Sequence, residues 1–198
     1  MTSIISASDI HTRVVAMGAD IRRDHPGDLH LIGVLQGAFV FLADLVRAIP
    51  GELTVDFIGL SSYGPGTSSS GQIALLTDLE ANIDGRAVVI VEDIVDSGAT
   101  LVLLQAHLRK RNPRSLRTAC LLSKKSRRVV DVPVEYVGFE IDDRFVVGYG
   151  LDHGGRHRNL PEIAALDIGA PAQVPALPQP GDQRSSPGRT NAIAGNDD

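Results

Sequence analysis

Residues 87–93, AVVIVED, run through five apolar side chains without a break and then meet two carboxylates. A strand with one wet face alternates apolar and polar residues. A strand apolar on both faces must be covered on both, as in the middle of a parallel sheet flanked by helices. The rest of the chain supplies the partners such a strand needs. LHLIGVL (29–35) is a second buried-type strand, followed by a helix over FVFLADLVRAI (39–49). Ile10, Val14, Met17 and Ile21 fall at helical spacing between Ala7 and Asp24, and Leu101, Leu104 and Leu108 do so within 100–111. Strands are predicted at 53–62, 117–123, 136–141 and 145–151, with a hairpin-like return at 73–80. Alternating strands and helices predict an α/β fold around a central, mainly parallel sheet.

Composition narrows the functional classes. A chain of 198 residues, 43 % hydrophobic, suits one domain with a substantial core. Its net charge of −5 excludes a general nucleic-acid binder or membrane-surface protein, which needs a basic face. No apolar run reaches the length of about 18 residues that a spanning helix requires. MTSIISASDIHTR lacks a basic segment followed by an apolar stretch, so no secretory signal is visible and a cytoplasmic location is expected. Cys120, the only cysteine, sits in the apolar run TACLL and reads as core packing. After Leu166 the chain holds five of its eleven prolines and no aromatic residue. This Pro/Gly-rich tail, 167–198, is expected to be disordered, because it cannot bury enough surface to offset its ordering entropy.

The chemistry concentrates in VVIVEDIVDSGATL, residues 88–101. Read as strand, turn and helix, it sets a turn at the carboxyl edge of the sheet, where ligands of such sheets bind. A helix start leaves backbone N–H groups unpaired and carries partial positive charge, so a phosphate fits the turn formed by Ser97, Gly98, Ala99 and Thr100. Gly98 permits close backbone approach, and Ser97 and Thr100 add hydroxyl donors. No lysine follows, so this is not a nucleoside-triphosphate loop. Glu92 and Asp93 would repel a bare phosphate. They make sense facing sugar hydroxyls, or a magnesium ion that carries other phosphates. A sugar phosphate is the ligand implied.

The 14-residue pattern resembles the signature of the type I phosphoribosyltransferases, which bind 5-phosphoribosyl pyrophosphate (PRPP). Four further blocks, GVLQGAFVFLADLVR, LSSYGPGTSSSG, YVGFEIDDRFVVGYGLD and RHRNLPEI, are similar to the hypoxanthine-guanine phosphoribosyltransferases and stand in the same order. The resemblance covers residues 8–166. It implies the type I fold with a small hood subdomain and a flexible loop marked by Ser62 and Tyr63, which would close over the site and exclude water. It implies Mg2+ as cofactor, with Glu92, Asp93 and Asp152 as its contacts, and Asp96 as the catalytic proton acceptor. Gln36, Gly37 and Arg158 would meet pyrophosphate, where a guanidinium fork suits oxyanions. Phe145 would stack on the purine, the Val146 backbone would meet the base edge, and Asp152 would lie nearby. Lys124 would donate to the 6-oxo oxygen, which an ammonium can do while it cannot accept from a 6-amino group. PRPP, hypoxanthine and guanine are the substrates so implied, and relatives are homodimers or homotetramers.

The chain departs from the family at several points. Gln36 stands where lysine is usual, in a loop whose first peptide bond is often cis. Asp142 and Lys125 occupy positions where proline is common, and His153 one where tyrosine is. Lys125, Arg127 and Arg128 read as a solvated basic loop, and His153 and His157 as surface residues, since Gly154 and Gly155 make helical metal-ligand spacing untenable. Two alternatives stay open: a PRPP-sensing regulator of the same fold, and a sibling enzyme that prefers xanthine.

Overall fold

The computed structural model describes residues 1–62 and 73–166. Tyr63, the rest of the expected flexible loop, and the tail lie outside the described residues. In chain order the elements are β1 (Thr2–Ile5), α1 (Ala7–Asp24), β2 (Leu29–Leu35), α2 (Phe39–Ala48), β3 (Thr54–Ser62), β4 (Ile73–Thr77), β5 (Ala87–Val95), α3 (Ala99–Arg109), β6 (Ser115–Ser123), β7 (Tyr136–Glu140), β8 (Val146–Val147) and β9 (Ile163–Ala165), with a short 3-10 turn at Lys125–Arg127.

Six strands form the main sheet in the order β4-β3-β2-β5-β6-β7. All its pairings are parallel except β3 with β4, which return as an antiparallel edge. The unbroken apolar run in β5 has its reason in the packing. Val89 and Val91 join one core with Leu29, Leu31 and the buried faces of α1 and α2. Val88 and Ile90 join a second core with Ile32, Val34 and α3. Cys120 is buried in that second core, and burial pushes its thiol up to about 12, as a packing residue requires. The helices follow their local signals: Ser6 caps α1, its hydroxyl accepting from the Asp9 N–H at 3.1 Å, with Arg22 and Arg23 in the last turn.

One strand prediction needs correction. FVVGYGL does not extend the parallel sheet; only Val146 and Val147 are strand, in a separate antiparallel sheet of order β1-β9-β8. Gly148, Tyr149 and Gly150 take φ of 102°, 49° and 102°, and Gly148 bridges back to Leu151, so the backbone turns where an apolar pattern reads as straight strand. This small sheet, the counterpart of the expected hood, ties residues 2–5 to residues 163–165. Among the described residues, no helix is long and apolar enough to cross a membrane.

Candidate active site

Three segments converge at the carboxyl ends of β2 and β5. After β2 the chain enters the Gln36-Gly37 turn through a cis Leu35–Gln36 peptide bond. Gly37 lies so close to the Asp93 carboxylate that a Cβ there would overlap it, and a Cβ on Gly150 would overlap the Gly37 carbonyl. The glycines thus let two loops meet over the end of β5. The resulting cavity, about 380 Å³, is lined by Gln36, Gly37, Glu92, Asp93, Thr100, Asp152 and Arg158, with Val34, Leu35, Leu60 and Leu151 as its apolar wall.

Burial sets the electrostatics. Glu92 is pushed well above the usual carboxylate range, first by burial and then by the neighbouring Asp93 charge. Burial also raises Asp93, although the Ile94 N–H donates to its Oδ1 at 2.7 Å and Arg158 pulls the other way. Neither acid forms an ion pair among the described residues. A half-buried Glu92 beside a buried Asp93, without a counter-ion, suits a site that receives positive charge or hydroxyl donors. Asp152 differs: Arg158 Nη2 lies 2.6 Å from its Oδ1, and the Gly155 N–H donates to its Oδ2 at 2.6 Å. Arg158 Nη1 donates to the Gly150 carbonyl at 2.6 Å, which anchors the guanidinium at the cavity wall.

The turn after β5 leaves its amides free. Gly98 occupies the N-cap of α3 with φ 85° and no side-chain cap; Ser97 Oγ accepts only a long contact, 3.4 Å, from the Ala99 N–H. Ser97 therefore does not cap the helix. Among the described residues, the N–H groups of Thr100 and Leu101 have no acceptor, the arrangement that receives an anion. Val130 and Val132 press on Gly98 from behind, and the Val129 N–H donates to the Ser97 carbonyl at 3.1 Å.

The remaining predicted residues lie beyond the cavity's lining. Lys124 is buried at the end of β6, its N–H donating to the Val95 carbonyl at 3.0 Å and its Nζ 3.6 Å from Asp143 Oδ1. Phe145 is 40 % exposed, free to present a ring face, and meets His153 edge-on at 5.2 Å. Val146 is buried in β8. Ser62 closes β3, paired with Ile73. Asp96 accepts from Arg127 Nε at 3.1 Å. The sequence does not announce that contact, or Asp143 as the partner of Lys124, because KKSRR reads as a solvated basic loop. An acid two residues before Phe145 was the one signal at hand. Lys125 does lie on the surface, paired with Glu140, while Arg128 is half-buried and donates to Ser123 Oγ at 3.1 Å.

A doubly covered parallel sheet with an acid pair, an uncapped glycine turn and an anchored arginine at its carboxyl edge defines an α/β protein built to hold an anionic, hydroxylated ligand. Residues 6–153 match the phosphoribosyl transferase domain, and the chain belongs to that family. Among its relatives, hypoxanthine phosphoribosyltransferase of Haemophilus influenzae is 45 % identical over 167 residues, 82 % of this chain and 93 % of that protein. Hypoxanthine-guanine phosphoribosyltransferase of Mycobacterium tuberculosis is 47 % identical over 171 residues, 83 % and 85 % of the two chains. The crystal structure of a hypoxanthine-guanine phosphoribosyltransferase from Bacillus anthracis superposes with a TM-score of 0.80 at 44 % identity, over 84 % of this chain and 98 % of that one.

Proposed function

We propose that this protein is a purine-salvage enzyme that transfers the 5-phosphoribosyl group of PRPP to hypoxanthine or guanine, giving the nucleotide and pyrophosphate. The observation that carries the reading is the single cavity shared by Glu92, Asp93, Gln36, Gly37, Thr100 and Arg158. In it, the free N–H groups and hydroxyls of the 97–100 turn hold the sugar's 5-phosphate. Glu92 and Asp93 meet the ribose hydroxyls, and the Gln36-Gly37 backbone and Arg158 meet pyrophosphate. Phe145 stacks on the purine, the Val146 backbone hydrogen-bonds its edge, and Lys124 donates to the 6-oxo oxygen. The bond from the anomeric carbon to pyrophosphate oxygen breaks, the bond to the purine nitrogen forms, and Asp96 takes the proton that the ring gives up. The anomeric carbon itself carries the developing positive charge, so no protein nucleophile is required.

Mg2+ fits the donor set. Glu92, half-buried, and Asp93, buried, are acids in want of a cation, whereas both oxygens of Asp152 are engaged by Arg158 and Gly155. Among the described residues no three candidate side chains form a cage, and a magnesium ion that keeps waters and substrate phosphates needs only one or two carboxylates. Bound there, the ion would neutralise charge on the departing pyrophosphate. The same reading expects a cytoplasmic homodimer or homotetramer. A substrate panel tests it: hypoxanthine, guanine, xanthine, adenine and uracil, each with PRPP and Mg2+, followed by pyrophosphate release. Release with hypoxanthine or guanine is expected. Turnover with xanthine alone points to the sibling enzyme, and PRPP binding without release from any base points to the regulator.

A further inference from the structure

Asp96, Arg127, Asp143 and Lys124 form one continuous chain of charges. Arg127 Nε donates to Asp96 Oδ1 at 3.1 Å, and its Nη1 reaches Asp143 Oδ2 at 3.4 Å. The other oxygen of Asp143, Oδ1, lies 3.6 Å from Lys124 Nζ. The two ends of this chain are the proton acceptor and the 6-oxo donor of the proposed function, on which the inference rests. Neither end reaches the other directly. They approach from different elements, Asp96 after β5 and Lys124 after β6, and among the described residues the side chains of Arg127 and Asp143 bridge them.

The purine explains why such a bridge matters. The 6-oxo oxygen and N7 lie on one edge of the ring, the edge read as a pair of adjacent sites in duplex DNA. When N9 of the N7–H tautomer attacks the anomeric carbon, N7 is the atom that must lose its proton. The acceptor for that proton and the donor to the 6-oxo oxygen therefore need a fixed separation. We propose that Arg127 and Asp143 are positioning residues that set the spacing and orientation of Asp96 and Lys124 along this purine edge. Arg127 clamps Oδ1 of Asp96 and leaves Oδ2, which has no partner among the described residues, to face the ring. Asp143 holds the lysine ammonium by one oxygen and the guanidinium by the other, so a shift at either end is felt at both. The planar fork of arginine spans two carboxylates in a way a single ammonium cannot.

Solvent exposure separates this role from a structural one. The side chains of Arg127, Asp96 and Asp143 are 53 %, 42 % and 52 % exposed. Exposed pairs of this kind add little to folding stability, so their geometry matters chiefly once a purine covers them and excludes water. The test uses the full-length protein with Arg127→Met, Arg127→Lys, Asp143→Asn and the Arg127→Met/Asp143→Asn double variant. Loss of one charge-assisted contact should cut kcat/KM for hypoxanthine about tenfold in each of the Met and Asn variants, with the KM for PRPP unchanged. Midpoints of thermal unfolding should stay within about 2 °C of wild type. Because both residues belong to one bridge, the double variant should lose no more than the worse single variant. Arg127→Lys should resemble Arg127→Met. Wild-type kcat/KM in both single variants, multiplied losses in the double, or losses tracked by falling unfolding midpoints would each overturn the bridge. If the wild-type protein turns over no purine at all, the proposed function fails and takes the bridge with it.

Discussion

At the amino edge of the main sheet, Arg86 binds both oxygens of Asp28 at 2.8 Å and donates to Thr54 Oγ1 at 2.6 Å. At the carboxyl edge, one strand-length away along β5, a half-buried Glu92 and a buried Asp93 stand side by side with no ion-pair partner among the described residues. The same strand thus starts among compensated charges and ends among uncompensated ones. A buried acid without a counter-charge is expensive to keep in a fold that gains nothing from it. At the amino edge, charge joins the loops before β2 and β5. At the carboxyl edge, charge awaits a ligand. Substitutions at the carboxyl edge should move activity and leave stability alone, and those at the amino edge should do the reverse.

The sharpest break of that comparison is Asp96→Asn. A positioned general base contributes about a hundredfold or more to rate, so kcat for hypoxanthine should fall by about that factor. Asparagine keeps the shape and the acceptor oxygen that Arg127 uses, so substrate binding and the unfolding midpoint should hold. Purine transfer followed by absorbance checks it, and full activity would remove Asp96 from the mechanism.

A smaller effect, of the opposite kind, is expected from Arg86→Met. Water screens the half-exposed Asp28, which limits the loss to about 1 kcal/mol, read as a lower urea midpoint at pH 7 with kcat unchanged. The pH dependence follows from the same residues. The Arg86 hydrogen bond holds Asp28 below its ordinary value of 3.8, so its stabilisation is present above that pH and lost as pH falls through the lowered value. Burial first, and the Arg86 charge second, hold His30 below 6.5. Below 6.5 the unfolded chain takes up a proton that the folded one refuses, so stability drops as pH falls from 6.5 toward that lowered value. The wild-type midpoint should therefore decline between pH 7 and 5, and again below pH 4. Arg86→Met should flatten both steps. A midpoint unmoved at pH 7 would mean that the amino edge holds its charges without needing them.

The legible part of the molecule is the part whose reasons are local. Helix α1 ends where Ala7 and Asp24 set it, and β5 reads as central because its successive valines and isoleucine feed two different cores. The acid pair and the glycine turn are visible because they share one strand-turn-helix. What escaped is what distant segments decide. β1 is four residues that become a strand only by pairing with residues 163–165. Val146 and Val147 join them because positive φ angles at Gly148 and Tyr149 bend the chain away from the main sheet. Arg127 looked like solvated charge, since nothing within five basic and polar residues announces an acid 31 positions upstream.

Gln36 offers the finest division of the carboxyl edge, between side chain and backbone. It is exposed at the mouth of the cavity, in a turn held by Gly37 against Asp93 and Gly150, so the backbone of the turn is fixed whatever residue 36 carries. If backbone N–H groups do most of the pyrophosphate binding, the lysine usual in the family adds only a water-screened charge. Gln36→Lys should then lower the KM for PRPP by about twofold to threefold, an effect that shrinks as salt is raised toward 0.5 M because exposed charges are screened over a few ångströms there. Steady-state kinetics at two ionic strengths measure both quantities. A KM that does not move at either would assign pyrophosphate to the backbone and Arg158 alone. A tenfold drop that survives high salt would mean that the glutamine is a true deficit, and that residue 36 reaches its ligand in a dry site.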